Sequence, residues 1–215
     1  MTCPTPEQIE ALSPWHYQVE FPNGYVTQGG VCTDPAAYFA SSGNFTGYDL
    51  AGKTVLEFGP ACGHMTRLMG ERGAKVTAIE VDIGNVARAR MYLAAWAVNA
   101  IVGRGNVEEI GTGFRTDDLV TFTGVMYHLQ SPHRGLLRAW SCAGEAMLVQ
   151  SHLCPGDIGA VMAYQPGYRG DTSNWWFPTD ACLRAMLEDL PGVGRIVRVP
   201  AACCETSGVY WAYRA

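Results

Sequence analysis

Charge is what this sequence has least of. Asp, Glu, Lys and Arg make up 16% of its 215 residues, against about 25% in an ordinary globular domain. The charge that is present leans negative, with 15 basic and 20 acidic side chains and a net of −5. That argues against a basic nucleic-acid clamp, whose affinity comes from Lys and Arg neutralising phosphates. A disordered tail is excluded: disorder needs low hydrophobicity with high charge, and 48% of these residues are hydrophobic. Also missing is an apolar run of the roughly 18 residues a membrane helix needs. The most apolar stretch, Met91 to Gly103, is too short and carries Asn99. The opening MTCPTPEQIE has neither a basic n-region nor an apolar h-region, so no secretory leader and a cytoplasmic location are expected. There is no internal repeat and no low-complexity tract. The eight cysteines (Cys3, Cys32, Cys62, Cys142, Cys154, Cys182, Cys203 and Cys204) form no C-x-x-C. They read as scattered reduced thiols, and no metal site is expected.

The length corresponds to about 1.4 domains of roughly 150 residues, so one domain with extra segments is expected. Folding should bury about 70% of the unfolded surface, enough for a core without staples. Residues 1–50 are rich in aromatics, Pro and Gly and read as an N-terminal cover segment of helices and loop. Over residues 51–215, short β-branched runs alternate with helical patterns, the mark of βαβ units. The expected fold class is α/β, a Rossmann-like seven-stranded sheet with helices on both faces.

In the first region, Thr5-Pro6-Glu7-Gln8 combines a cap, a Pro at the first helical position and a Gln three residues after the cap. It predicts a helix from Glu7 to about Ser13. Tyr17–Phe21 and Tyr25–Thr27 flank Pro22-Asn23-Gly24 and predict a hairpin or loop. Asp34-Pro35 opens a second short helix through Tyr38 and Phe39. In the second region, strands are expected at Thr54–Phe58, Val76–Glu80, Ala100–Val102, Leu119–Thr123, Ala146–Ser151, Arg195–Val199 and Val209–Tyr213. Helices are expected at Met65–Arg72, Asn85–Val98, Pro132–Cys142 and Asp180–Leu190. No helix separates the last two strands, so they can pair antiparallel.

The stretch Thr54-Val-Leu-Glu57-Phe-Gly59-Pro60-Ala61-Cys62-Gly63-His64 runs an apolar strand into a Gly-rich turn and then a helix. Such turns let a ligand approach the backbone closely, and ligands of open α/β sheets bind at the carboxyl ends of strands. A P-loop is excluded because no GK[ST] follows. A dinucleotide fingerprint lacks its third Gly, since the frame reads Gly59-x-Ala61-x-x-His64. Glu57-x-Gly59-x-Ala61-x-Gly63 resembles the E/D-x-G-x-G-x-G turn of class I S-adenosylmethionine methyltransferases, with Ala61 in place of the middle Gly. An acid before the turn suits a ligand carrying an ammonium group. The next strand ends in Glu80, followed by Val81, where an acid can accept from both ribose hydroxyls. After the third strand, Asn106-Val107-Glu108 offers an amide or acid to the adenine amino group and an apolar contact to its ring. Thr123 closes the fourth strand and completes the expected cofactor set.

Three further stretches resemble one branch of that class, the tRNA wobble-uridine methyl/carboxymethyl transferase-like proteins and relatives of unassigned substrate. Trp15-His16-Tyr17-Gln-Val-Glu-Phe-Pro22-Asn23-Gly24-Tyr-Val-Thr27-Gln-Gly29 is similar to the branch's W-Y-H-x-I-x-L-P-D-G-x-x-T-x-G. Asp118-Leu-Val-Thr-Phe-Thr-Gly124-Val125-Met126-Tyr127-His128-Leu129-x-x-Pro132 resembles its F-D-x-V-x-x-x-G-V-L-Y-H-x-x-x-P. Trp175-Trp176-Phe177-Pro178-Thr179 resembles the aromatic-Pro-aliphatic lead-in to its last helix. The resemblance spans residues 15–190. It implies S-adenosylmethionine as cofactor and S-adenosylhomocysteine (SAH) as product. The chain is shorter than the tRNA-modifying members and lacks their Arg-containing segment near the C-terminus. Carboxy-S-adenosylmethionine is therefore disfavoured, and the negative charge disfavours tRNA.

Methyl transfer from a sulfonium asks the protein to align the acceptor, exclude water and sometimes take a proton. His128 is the first general-base candidate, because an ordinary imidazole titrates near neutrality. Tyr127 beside it could orient the acceptor, and His16 is a second base candidate. Trp15, Tyr17, Tyr164, Tyr168, Trp175 and Trp176 are candidate acceptor-binding residues of an aromatic lid suited to a methylsulfonium or amine, and His152 after the fifth strand is a candidate for lining the crevice. The expected function is methyl transfer to O, N or C of a small molecule. The alternatives are a tRNA-modifying transferase and a non-catalytic cofactor-binding scaffold.

Overall fold

The computed structural model describes residues 3–30, 45, 47–111, 113–200 and 206–215. The helix expected from Asp34-Pro35 lies outside the described residues, as do Cys32, Cys203 and Cys204. In chain order the elements are α1 (Pro6–Glu10), β1 (Thr54–Phe58), α2 (His64–Glu71), β2 (Lys75–Glu80), α3 (Ile83–Ala95), β3 (Ala100–Arg104) and β4 (Asp117–Thr123). Then follow α4 (Pro132–Ser141), β5 (Ala143–His152), β6 (Met162–Tyr164), β7 (Trp176–Pro178), α5 (Asp180–Glu188), β8 (Val193–Val199) and β9 (Ser207–Arg214).

The main sheet has seven strands in the order β3-β2-β1-β4-β5-β9-β8, the α/β class that the alternating sequence pattern predicts. Every expected strand and helix among the described residues is present, with ends within three residues of expectation. The chain forms two compact units, one holding the described residues up to Asn106 and the other those from Val107 onward.

In the first unit, β1 pairs parallel with β2, and β2 with β3. The capping box at Thr5 and Gln8 forms and starts α1. That helix stops at Glu10, short of the expected Ser13, just ahead of Pro14, which disfavours helical backbone at the residue before it. Asp82 caps α3 by accepting from the Asn85 N–H at 2.7 Å. Along α3, Val86, Ala89, Tyr92 and Leu93 are buried, the spacing that puts one stripe on the core. The Tyr17–Thr27 segment carries a single antiparallel bridge, Glu20 to Val26, so it is a loop with a hairpin turn and no named strand. Its Val19 and Phe21 form a core cluster with Trp15 just before it and with Ile9, Cys62 and Tyr92.

In the second unit, β4 pairs parallel with β5, and the expected antiparallel β8–β9 hairpin continues β5 through β9. Helix α4 buries Pro132, Gly135, Leu136, Ala139 and Trp140. Full burial of a side chain such as Leu136 contributes roughly 1.5–3 kcal/mol. Unforeseen was a two-stranded ribbon, β6–β7, inserted between β5 and α5. Thr179 then caps α5, as the Trp-Trp-Phe-Pro-Thr lead-in implies. No helix among the described residues is long and apolar enough to cross a membrane.

Candidate active site

The first unit holds the Gly-rich turn. β1 delivers Glu57 to a position 2% exposed. Its carboxylate accepts the Thr66 hydroxyl from the first turn of α2. Gly59, Ala61 and Gly63 all take positive φ, at 72°, 49° and 84°. Gly63 must be glycine for a second reason: a Cβ there would stand 3.2 Å from Ala89 Cα on α3. Ala61 in the left-handed region costs about 1–2 kcal/mol. That cost explains why the motif it resembles carries glycine at this place. Partial compensation comes from Glu80, whose Oε2 accepts the Ala61 N–H at 3.1 Å while its Oε1 accepts the Asp82 N–H at 3.0 Å. One carboxylate at the end of β2 thereby ties the turn to the start of α3. Pro60 is buried, Asn106 is half-buried just past β3, and Val81 is 60% exposed beside Glu80.

Glu57 and Glu80 are buried acids in one unit. Burial raises the Glu57 carboxyl to about 7; the Thr66 hydroxyl opposes the rise and the like charge of Glu80 adds to it. Burial also raises Glu80, against the lowering by its backbone N–H partners. Two buried acids that resist ionisation are a fitting acceptor set for a ligand with an ammonium group, whose positive charge relieves both. The stability that Glu57 contributes is present in full below the unfolded carboxyl value of 4.5 and is lost as pH rises to about 7. The full loss is about 3 kcal/mol, taking 1.36 kcal/mol per unit. In urea unfolding without cofactor, Glu57→Gln should therefore gain on the wild type progressively between about pH 4 and pH 8. A constant difference across that range refutes the assignment.

The N-terminal segment lies against the same turn. Tyr17 meets His64 edge-on at 4.3 Å and His16 at 4.4 Å. His64 opens α2 and is 5% exposed. Burial, with the neighbouring His16 adding to it, lowers its imidazole to about 3. Trp15 is a core residue, 3% exposed, with its indole N–H donated to the Ile9 carbonyl at 3.0 Å.

The second unit carries an aromatic cluster at the ends of β4 and β5. Thr123 closes β4, and Gly124 follows with φ of 71°. A Cβ on Gly124 would lie 3.3 Å from the Tyr127 hydroxyl, which therefore sits over this turn. Tyr127 and His128 belong to the 3₁₀ turn Met126–His128. The Tyr127 ring lies 4.4 Å from His128, 4.7 Å from His152 and 6.3 Å from Phe177, and Tyr168 meets Phe177 at 4.4 Å. The pleat of β7 sends neighbouring side chains to opposite faces. Phe177 thus joins this cluster, while Trp176 pairs with Tyr164 at 4.8 Å. Trp176 also lines a separate cavity of about 400 Å³ with Pro132, Met162, Cys182 and Met186. Tyr164 is 60% exposed. Trp175 donates its backbone N–H to the Tyr127 carbonyl at 2.9 Å and its indole N–H to Thr172.

Three contacts were not anticipated from the sequence. His128 Nδ1 lies 3.1 Å from the Ser173 carbonyl oxygen and 2.9 Å from the Ser173 hydroxyl. His152 is 3.5 Å from Ser207, which accepts from Gln150. Glu108, an acid weighed for adenine, accepts the Gln130 and Ser131 N–H groups, supplying the start of α4 that Ser131's own side chain does not cap. Val107 beside it is buried. The Asp171-Thr-Ser173 turn was the available signal for the first contact, since Asx turns order loops.

Comparison with known proteins agrees with this architecture. Residues 34–180 match the methyltransferase domain family, and the chain belongs to it. Its sheet order is that of a class I methyltransferase. The N-terminal domain of EvdMO1 with SAH bound is similar at 18% identity and a TM-score of 0.76, over 97% of this chain and 95% of that one. EvdMO1 itself is similar at 20% identity and a TM-score of 0.66, and this chain covers 46% of its length. Magnesium protoporphyrin IX methyltransferase (ChlM) from Synechocystis PCC 6803 with bound SAH is similar at 17% identity and a TM-score of 0.59, over 83% of this chain and 80% of that one. No curated protein matches the sequence.

Proposed function

We propose that this chain is an S-adenosylmethionine-dependent methyltransferase acting on a small molecule. The observation that carries the reading is Glu80, a buried carboxylate at the end of β2 that is hydrogen-bonded to the Gly-rich turn, in a chain of the methyltransferase domain family. Gly59, Ala61 and Gly63 would admit the methionine part to the backbone, with Glu57 toward its ammonium. Glu80 would take the ribose hydroxyls, with Val81, Asn106 and Val107 around the adenine. The cofactor supplies an activated methyl on a sulfonium. Transfer of that methyl would leave SAH as product, so this chain's own part would be to align the acceptor with the methyl and receive its proton. The acceptor's proton passes to His128, with Tyr127 and His152 holding the acceptor. Residues 1–50 act as a cover segment for a methyltransferase domain of residues 51–215. The packing of Trp15 and Phe21 with Cys62 and Tyr92 supports that role.

Incubation of the purified protein with methyl-labelled S-adenosylmethionine and cell extract, split into small-molecule, RNA and protein fractions, tests the reading. Label is expected in the small-molecule fraction. Label confined to tRNA would overturn that acceptor in favour of the wobble-uridine-type alternative that the Tyr127–His128 stretch resembles. Cofactor binding without any transfer would favour a scaffold.

A further inference from the structure

The loop between the 3₁₀ turn Tyr168–Gly170 and β7 is bound tightly to the Tyr127–His128 pair. Asp171 Oδ1 accepts the Ser173 N–H at 2.8 Å and the Ser173 hydroxyl at 2.6 Å. Asn174, 5% exposed, donates its side-chain amide to the Tyr168 carbonyl at 3.0 Å. Trp175 closes the loop with its N–H on the Tyr127 carbonyl at 2.9 Å. Against this frame lies His128, with Nδ1 facing both the carbonyl and the hydroxyl oxygen of Ser173.

The protonation pattern follows from what each atom can do. A carbonyl oxygen only accepts, so Nδ1 must carry the hydrogen that it shares with Ser173. An ionised carboxylate also only accepts, so the Ser173 hydroxyl hydrogen points to Asp171 and its lone pairs face Nδ1. Both constraints select the same tautomer, and the other ring nitrogen is left with a lone pair. We propose that Ser173 and Asp171 are positioning residues that lock the His128 proton on Nδ1 and present Nε2 as the proton acceptor. The inference rests on the reading of His128 as general base. Proton uptake at Nε2 creates an imidazolium, whose charge Asp171 stabilises through the Ser173 hydroxyl. The groups facing His128 are Asp171 and Ser173 from the loop and Tyr127 from its own turn, with His152 behind the Tyr127 ring. Burial lowers the His128 imidazole from its ordinary value, while the Ser173 bond and Asp171 raise it.

Long-range proton–nitrogen NMR on the full chain with ¹⁵N-histidine reads the tautomer and midpoint of His128 without an acceptor. The wild type is expected to show Nδ1–H. Asp171→Asn should lower the midpoint, and Ser173→Ala, which keeps the carbonyl on Nδ1 but removes the hydroxyl link to Asp171, should lower it too, while the tautomer and the His64 and His152 signals stay in place. Transfer of label into the extract fraction should fall about tenfold or more in Ser173→Ala, the cost of losing one hydrogen bond to the charged imidazolium. Ser173→Thr, which keeps the hydroxyl, should restore both readouts. An Nε2–H tautomer in the wild type overturns the proposal. So does a midpoint unchanged in both Asp171→Asn and Ser173→Ala. Expected spectra together with wild-type transfer in His128→Gln overturn the base reading alone.

Discussion

Glu80→Ala is expected to weaken S-adenosylmethionine binding by roughly 100-fold or more. The carboxylate has about four lone-pair positions, of which the Ala61 and Asp82 N–H groups occupy one on each oxygen. The remaining positions can serve the two ribose hydroxyls. Hydrogen bonds to a charged group contribute about 1.5–3 kcal/mol each, so losing two corresponds to at least about two decades of affinity. The substitution also frees the Ala61 N–H, which helps hold that residue at φ of 49°, so the turn loosens as well. Glu80→Gln keeps one acceptor oxygen and should lose roughly tenfold. Calorimetric titration with S-adenosylmethionine and with SAH is the measurement. An affinity within about threefold of wild type in a normally melting Glu80→Ala protein would refute the placement of this residue.

The parts of the fold legible in the sequence were those with local causes. β1 is read off Thr54–Phe58 residue for residue, because a largely apolar run meets a Gly-rich stop. The starts of α1 and α5 are visible because their caps, Thr5 and Thr179, use side chains within three residues. The β6–β7 ribbon was illegible because its strands have three residues each and one ends in Pro178, which weakens any strand pattern. Aromatic content likewise could not separate Trp15, which fills the core, from Tyr164, which is exposed. In the site, the turn and Glu80 stand out because their spacing is fixed by one βαβ unit. Ser173 does not, because it reaches His128 across 45 residues of chain through a loop. The contacts of Glu108 were illegible for the same kind of reason, since it serves α4 from 22 residues upstream.

Whether His128 takes a proton is separable from whether the cofactor binds. His128→Gln keeps a polar side chain of similar reach but cannot act as a base at neutral pH. Methyl transfer should fall by about 10²–10⁴-fold, the usual contribution of a positioned base, with calorimetric affinity for S-adenosylmethionine unchanged. The pH profile provides an independent sign. Burial, the largest influence on His128, lowers it from the ordinary 6.5, so its neutral, proton-accepting form persists into weakly acidic solution. The acid limb of the rate should therefore lie below the ordinary histidine value and vanish in His128→Gln. A rate that needs pH above that value would assign the proton to another group, and a wild-type rate in the variant would leave this histidine with packing against Tyr127 as its role.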